Sequence, residues 1–259
     1  MLVAIAAAKG SPGVTTTARV LASVWPTAVV LADCDPAGGD LAIVGRAPGG
    51  GVLNPDRGLL SMAVEARHGL LPSAVAEHVQ HLEGGLPVLC GVSSPEQVAA
   101  IGPVWPAIAT VLADAPGTDV VADCGRVIAG SPLMPVLNAA DVVLFVVRPR
   151  VELYAHLRER LRWLAGAQRD LPRVPRTAVV LVGDRGTTET TRDLTQLLAH
   201  DGLAVSVVGP LAHDQQAADA LAGRIDRGIG RSLLVRSARL LVDPVRALAA
   251  ERKHASGRA

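Results

Sequence analysis

The sequence predicts an α/β protein, a doubly wound, mostly parallel sheet flanked by helices. Three observations carry that prediction. A series of short apolar runs, partly β-branched and bounded by Gly, Pro or Asp, has the continuous hydrophobicity of strands buried on both faces. Longer stretches with helical spacing lie between them, and strands alternating with helices are the pattern of parallel crossover units. The 259 residues are 49% hydrophobic and 19% charged, enough apolar material for a sizeable core.

The elements follow in order. "LVAIAAA" at residues 2–8 is a first strand, and "TTTARVLASVW" at 15–25 opens a helix directly after it. "TAVVLAD" (27–33) and "LPVLCGV" (86–92) are further strands, separated by the glycine-rich loop "GRAPGGGVLNPDRG" (45–58). "PEQVAAIGPVWPAIATVLAD" (95–114) is helical and leads to the strand "TDVVAD" (118–123). "DVVLFVV" (141–147) precedes the helix "YAHLRERLRWLAGAQRD" (154–170). "TAVVLVG" (177–183) precedes "TETTRDLTQLLAHDG" (188–202), and "LAVSVVG" (203–209) is the last strand. A final helix is expected over about 231–252, with Pro244 arguing against an unbroken one. One domain over 1–259 accounts for the whole pattern, with a frayed tail at about 253–259.

Aromatics are only 2%, so Ala, Val and Leu must build the core. Cys34, Cys90 and Cys124 lack metal-ligand spacing and form no even set. A disulfide framework or zinc site is therefore not expected, and a reducing cytoplasm suits the chain. The apolar start carries no basic residue ahead of it and is expected to be a buried strand, not a secretory leader. No apolar run reaches the ~18 residues of a spanning helix. There is no G-x-S-x-G elbow and no paired histidine spacing, which excludes common hydrolase and metal-centre signatures. Residues 1–147 carry six basic and twelve acidic side chains, and residues 148–259 nineteen and twelve. That asymmetry leaves DNA open as a partner through 148–259, beside the plainer reading of solvated helix faces such as those of Arg158, Arg160 and Arg162.

The chemistry-bearing stretch is "KGSPGVTT" at residues 9–16, between the first strand and its helix. A glycine-containing turn that opens a helix aims backbone N–H groups at an anion. Gly10 and Gly13 supply backbone freedom, and Thr15 or Thr16 a hydroxyl for Mg²⁺. The G-x-x-x-x-G-K-[ST] pattern is not met. The deviant form K-G-G-x-G-K-[ST]-T fits better, with Lys9, Gly10, Ser11, Pro12, Gly13, Val14, Thr15 and Thr16 in register. Val14 stands where that form has its loop lysine. Lys9, one of only two lysines in the chain, falls on the signature position.

This loop resembles that of the ParA/MinD family of deviant-Walker-A P-loop ATPases. Further elements are similar in the same order. "VVLADCDPAGGDLAIVG" resembles the family's D-x-D strand end, with Asp33, Asp35 and then Asp40. "DVVADCG" puts Asp123 at the Walker B position. The D-x-D-x-x-x-G-D spacing and "GLPVLCGVSSPEQV" look closest to the CpaE/TadZ pilus-assembly branch. "VVLVGDR" stands where the family has a strand ending in Asn-Arg, and "VGPLAHDQQAADAL" resembles its I-P-x-D segment. The resemblance covers residues 2 to about 242.

The resemblance implies ATP on Gly10–Thr16 and Mg²⁺ near Thr15, Asp33, Asp35 and Asp123. It gives Asp35 a role toward the attacking water and Lys9 a role across a homodimer interface. It places Asp184, Arg185, Pro210 and Asp214 near the base. Val14 weakens the implied activity. One lost charge-assisted hydrogen bond costs about 1.5–3 kcal/mol. That is roughly 10- to 150-fold in affinity. The expectation is a dimeric, nucleotide-binding positioning or recruitment scaffold for a pilus, secretion or partition system, with weak or no hydrolysis. Two alternatives stand beside it. One is an active ATPase whose missing lysine is compensated by Lys9 or an arginine. The other is a nucleotide-free interaction module that keeps only the fold. A membrane-targeting role for the last helix is the less favoured reading.

Overall fold

The computed structural model describes residues 1–183, 187–225 and 228–256. Its centre is an eight-stranded sheet in the order β3-β4-β2-β5-β1-β6-β7-β8. The strands are β1 (Leu2–Ala7), β2 (Val29–Asp33), β3 (Gln80–His81), β4 (Pro87–Leu89), β5 (Asp119–Arg126), β6 (Val142–Val147), β7 (Arg176–Gly183) and β8 (Ser206–Ala212). All pairings are parallel except that of the short β3, which runs antiparallel to β4 at one edge.

The strands alternate strictly between two cores. Leu2, Ala4 and Ala6 of β1 pack into one apolar cluster, and Val3, Ile5 and Ala7 into the other. In β6, Val143, Phe145 and Val147 face the first cluster while Val142, Leu144 and Val146 face the second. A strand buried on both faces has no position left for a polar residue, which is why these segments read as unbroken apolar runs.

The second face is covered by α1 (Val14–Ser23), α2 (Leu41–Val44), α10 (Gln215–Leu221) and α11 (Leu233–Ser256). The first is covered by α3 (Leu59–Glu65), α4 (Ala74–His78), α5 (Pro95–Ala100), α6 (Trp105–Ala113), α7 (Met134–Ala139), α8 (Val151–Ala167) and α9 (Thr187–His200). The helical stretch expected over 95–114 is two helices. A 3₁₀ turn at Gly102–Val104 separates α5 from α6, because Gly102 and Pro103 together break the α-helical hydrogen-bond ladder.

Two expectations are corrected at the C-terminal end. The last strand begins at Ser206, three residues later than the apolar run suggests, and continues through Pro210 to Ala212. The Leu203 N–H is taken by Leu198 O at the end of α9, which holds this part of the run out of the sheet. β8 is an edge strand, where a proline is tolerated. The final helix also runs continuously through Pro244. Proline leaves the carbonyl four residues back without its donor, and here that residue is the solvent-exposed Leu240, so water can satisfy it. No described helix is long and apolar enough to cross a membrane.

Candidate functional site

β1, β2 and β5 end at the same edge of the sheet. Asp33 and Asp123 are direct register partners there, and Ala7 pairs with Arg126 beyond a β1 irregularity. β1 sits between β5 and β6, so the loop after β1 emerges where the connections diverge to opposite sides. Such a crevice is the usual ligand position of an open parallel sheet.

The loop itself is set by Gly13, the residue before α1, which has φ +106°. A Cβ there meets no protein atom within 4 Å, so the left-handed backbone, and not a protein neighbour, demands glycine. Gly13 O accepts both the Thr17 N–H at 2.9 Å and the Thr17 hydroxyl at 2.7 Å, which locks the first turn. The N–H groups of Gly10, Ser11, Gly13, Val14, Thr15 and Thr16 find no partner among the described residues. Pro12 has no N–H to offer. A run of free donors at the positive end of a ten-residue helix fits a phosphate chain.

The carboxylates differ in what they have left to give. Asp33 is 1% exposed and spends both oxygens, accepting Leu41 N–H at 3.1 Å and Asp35 N–H at 3.4 Å. It braces the turn after β2. Asp35 is half-buried and accepts Ala37 N–H at 2.8 Å. Asp123 is 2% exposed; one oxygen accepts Gly125 N–H at 3.1 Å and Oδ2 has no hydrogen-bond partner among the described residues. Burial, and then the Asp123 charge, pushes Asp33 up to about 7. Burial pushes Asp123 up to about 6, against the Thr15 hydroxyl and Gly125 N–H, which hold it down. Burial also raises Asp35. Gly125, at φ +54°, lets Asp35 lie close, since a Cβ there would collide with the Asp35 carboxyl group.

No group of His, Cys, Asp and Glu among the described residues forms a ready metal cage. The donor set still fits Mg²⁺, which takes one or two carboxylates together with phosphate and water. Asp123 Oδ2, an orphaned buried oxygen beside Thr15, is the atom that fits it best. Asp33 fits less well as a direct ligand, because both its oxygens are already engaged.

Two clefts flank the loop. One, of about 850 Å³, is lined by Gly10, Val14, Thr15, Asp35, Gly125 and Arg126 among others. The other, of about 380 Å³, runs from Ser11, Pro12, Gly13 and Thr16 to Leu211, His213 and Asp214 after β8. Asp40 lines both. Asp214 caps α10 by accepting Ala217 N–H at 3.1 Å and also lines the smaller cleft. Pro210 is exposed on β8 and lines neither cleft. Asp184 and Arg185 lie outside the described residues.

Val14 is 7% exposed and packs into the second core, offering no polar group beyond its N–H. Lys9 is exposed at the loop's edge, and its Nζ donates to His156 Nε2 of α8 at 2.8 Å. Cys34 and Cys124 are buried, and burial pushes both thiols well up, as suits inert core fillers.

The arginines of α8 require a correction. They are not simply solvated: Arg158 forks onto Asp201, with Nη2 at 2.6 Å, Arg162 reaches the same carboxylate at 3.2 Å, and Arg160 lies over the Trp163 ring at 5.0 Å. The sequence also did not single out Arg19 and Arg148, which line the smaller cleft. The available signal was a lone charge in the apolar helix run "TARVLA" and another straight after the strand "VVLFVV".

No protein-family description and no curated protein matches the sequence. Solved structures do match the fold. A ParA family ATPase from Chlorobium tepidum superposes with a TM-score of 0.71 at 16% identity, over 93% of this chain and 96% of that one. The septum site-determining protein MinD from Pyrococcus horikoshii, complexed with Mg-ADP, matches with 0.66 at 17% identity, over 97% and 98%. An ATP complex of a variant of McdA from Cyanothece matches with 0.68 at 15% identity, over 96% of each chain. At such identities the likeness is one of architecture, and it extends over nearly the whole of both chains. The chain has the fold of the ParA/MinD P-loop ATPases.

Proposed function

We propose that the chain is a ParA/MinD-type nucleotide-binding protein that holds an adenine nucleotide and Mg²⁺ on the loop from Gly10 to Thr16. The observation that carries this reading is the row of free N–H groups at the start of α1, beside the buried Asp123 carboxylate with an open oxygen. An anion and a divalent cation would satisfy both. Matching folds solved with Mg-ADP and with ATP support it. Bound Mg²⁺ would neutralise phosphate charge. Thr15 and Asp123 would hold it, Asp33 would keep the β2 turn in shape, and Asp35 would orient water.

The same reading makes the protein a dimeric scaffold that recruits or positions partners, hydrolysing ATP slowly or not at all. Val14 supports slow hydrolysis, since it brings no cation to the phosphates. A pilus, secretion or partition assembly is the client that the CpaE/TadZ-like motifs favour, in a single-domain cytoplasmic protein.

Calorimetric titration with Mg-ATP, run beside a turnover assay, tests the proposal. Binding with little turnover is the expected result, and Gly13→Val should abolish it, because valine cannot hold φ +106° without strain. Brisk turnover would favour an ATPase with a compensated loop. No binding by a well-folded wild type would leave a fold-only interaction module.

A further inference from the structure

Val14 removes the cation from the tip of the loop, yet the loop is not without cations at its side. Arg19, on α1 one turn beyond Thr16, is 8% exposed, and its buried Nε has no hydrogen-bond partner among the described residues. Arg148 follows the last residue of β6, the strand next to β1, and its Nε is likewise buried without a partner among the described residues. Both side chains line the 380 Å³ cleft together with Ser11, Gly13 and Thr16. Neither lines the larger cleft, where Asp35, Gly125 and Arg126 stand.

Other cations near the loop are engaged or on the wrong side. Lys9 lines neither cleft, and Arg224, which also lines the smaller one, is held by Asp219 at 2.8 Å. Arg19 has Asp33 as an electrostatic neighbour but forms no ion pair with it among the described residues, since both Asp33 oxygens go to backbone N–H groups. A buried guanidinium donor without an acceptor is costly, and a phosphate oxygen is the acceptor its fork fits best.

We infer that Arg19 and Arg148 are the phosphate-binding cations of this site, gripping the nucleotide's α- and β-phosphates from the β8 side of the loop in place of the missing loop lysine. The inference rests on the nucleotide-binding reading and deepens it. It has a consequence for selectivity. The arginines line the cleft on the β8 side, which neither Asp35 nor Asp123 lines, so the site holds a nucleoside diphosphate nearly as well as a triphosphate. Cation recognition has moved from the γ-phosphate to the part of the chain that ADP and ATP share.

Calorimetry with Mg-ADP and Mg-ATP on the full chain tests this. The wild type is expected to bind the two within about three-fold of each other. Arg148→Gln should weaken both equally, by roughly ten-fold or more, as should Arg19→Met. Arg148 is only half-buried and its substitution spares the core, so it decides the matter if Arg19→Met melts at a lower temperature. Adding Val14→Lys to Arg148→Gln should restore ATP binding more than ADP binding. Wild-type affinity in Arg148→Gln, with binding lost in Gly13→Val, would overturn the inference while leaving the nucleotide site intact. A strong wild-type preference for ATP would overturn the α/β placement. Failure of the wild type to bind either nucleotide would overturn the inference together with the reading beneath it.

Discussion

Asp123 shows how a single residue carries both stability and function. Its carboxylate is buried inside β5, level with the end of β2, and one oxygen is unpaired among the described residues. In the unfolded chain such a group titrates at the ordinary 3.8, and in the folded protein at about 6, chiefly because of burial. Between those values the folded state binds the proton more tightly. Its contribution to stability is therefore fully present below 3.8 and is lost as pH rises through about 6. Asp123→Asn should thus stabilise the metal-free protein at pH 7.5 by about 3 kcal/mol, and by much less near pH 4. Urea unfolding in the presence of a chelator at both pH values measures this, and a less stable variant at pH 7.5 would show that the charge is compensated. The same substitution should remove the Mg²⁺ dependence of nucleotide binding. A carboxylate that destabilises its own fold at neutral pH is what a binding site, not a structural core, is built to hold.

At the scale of elements, α11 is the clearest case of tertiary packing overriding local preference. Leu234, Val235, Ala238, Leu241, Val242, Val245 and Ala249 are buried against the second face of the sheet. That burial keeps the helix unbroken through Pro244, whose missing N–H would end an isolated helix. Pro244→Ala should restore a backbone bond and raise stability by about 1 kcal/mol or more, read as a higher melting temperature. An unchanged or lower melting temperature would mean that the ring's own packing matters more than the lost bond.

For the whole molecule, the decisive feature is Lys9. It stands at the edge of the loop, and its amino group rests on His156 of α8. The bond needs Nε2 of the imidazole to be the acceptor, so it is an easily exchanged surface contact. If two copies meet face to face over the larger cleft, Lys9 is free to leave His156 for the phosphates of the opposite copy, where exclusion of water strengthens the contact. Mg-ATP should then drive dimerisation, and Lys9→Ala should stay monomeric while still binding nucleotide weakly. Light scattering with and without Mg-ATP measures both. A wild type that stays monomeric at saturating ATP, or a Lys9→Ala chain that dimerises equally well, would remove Lys9 from the mechanism. The basic excess of residues 148–259 is a weaker lead, because Arg158 and Arg162 already share Asp201.

What the sequence determined by itself was local. Strands such as β1 and β6 announce themselves because both faces are buried, so the apolar run is unbroken whatever the neighbours are. The loop at Gly10–Thr16 was legible because a left-handed glycine, a strand before it and a helix after it are all encoded within a few residues. Asp33 was placed at a strand end by the same punctuation, and β2 ends there; Asp123 was placed so too, but β5 runs on to Arg126, because Ala7 of β1 still pairs with it. What only the tertiary structure decided depended on contacts distant in the chain. The late start of β8 follows from Leu198 holding Leu203, and the continuity of α11 from the sheet beneath it. The division of labour among the carboxylates follows from which backbone donors reach Asp33 and which leave Asp123 Oδ2 alone. Arg19 and Arg148 were invisible as a pair because 129 residues part them, a separation that neither periodicity nor a motif can bridge. Parallel strand order brings them to one cleft: β6 lies beside β1, and α1 follows β1, so their side chains meet only when the sheet forms.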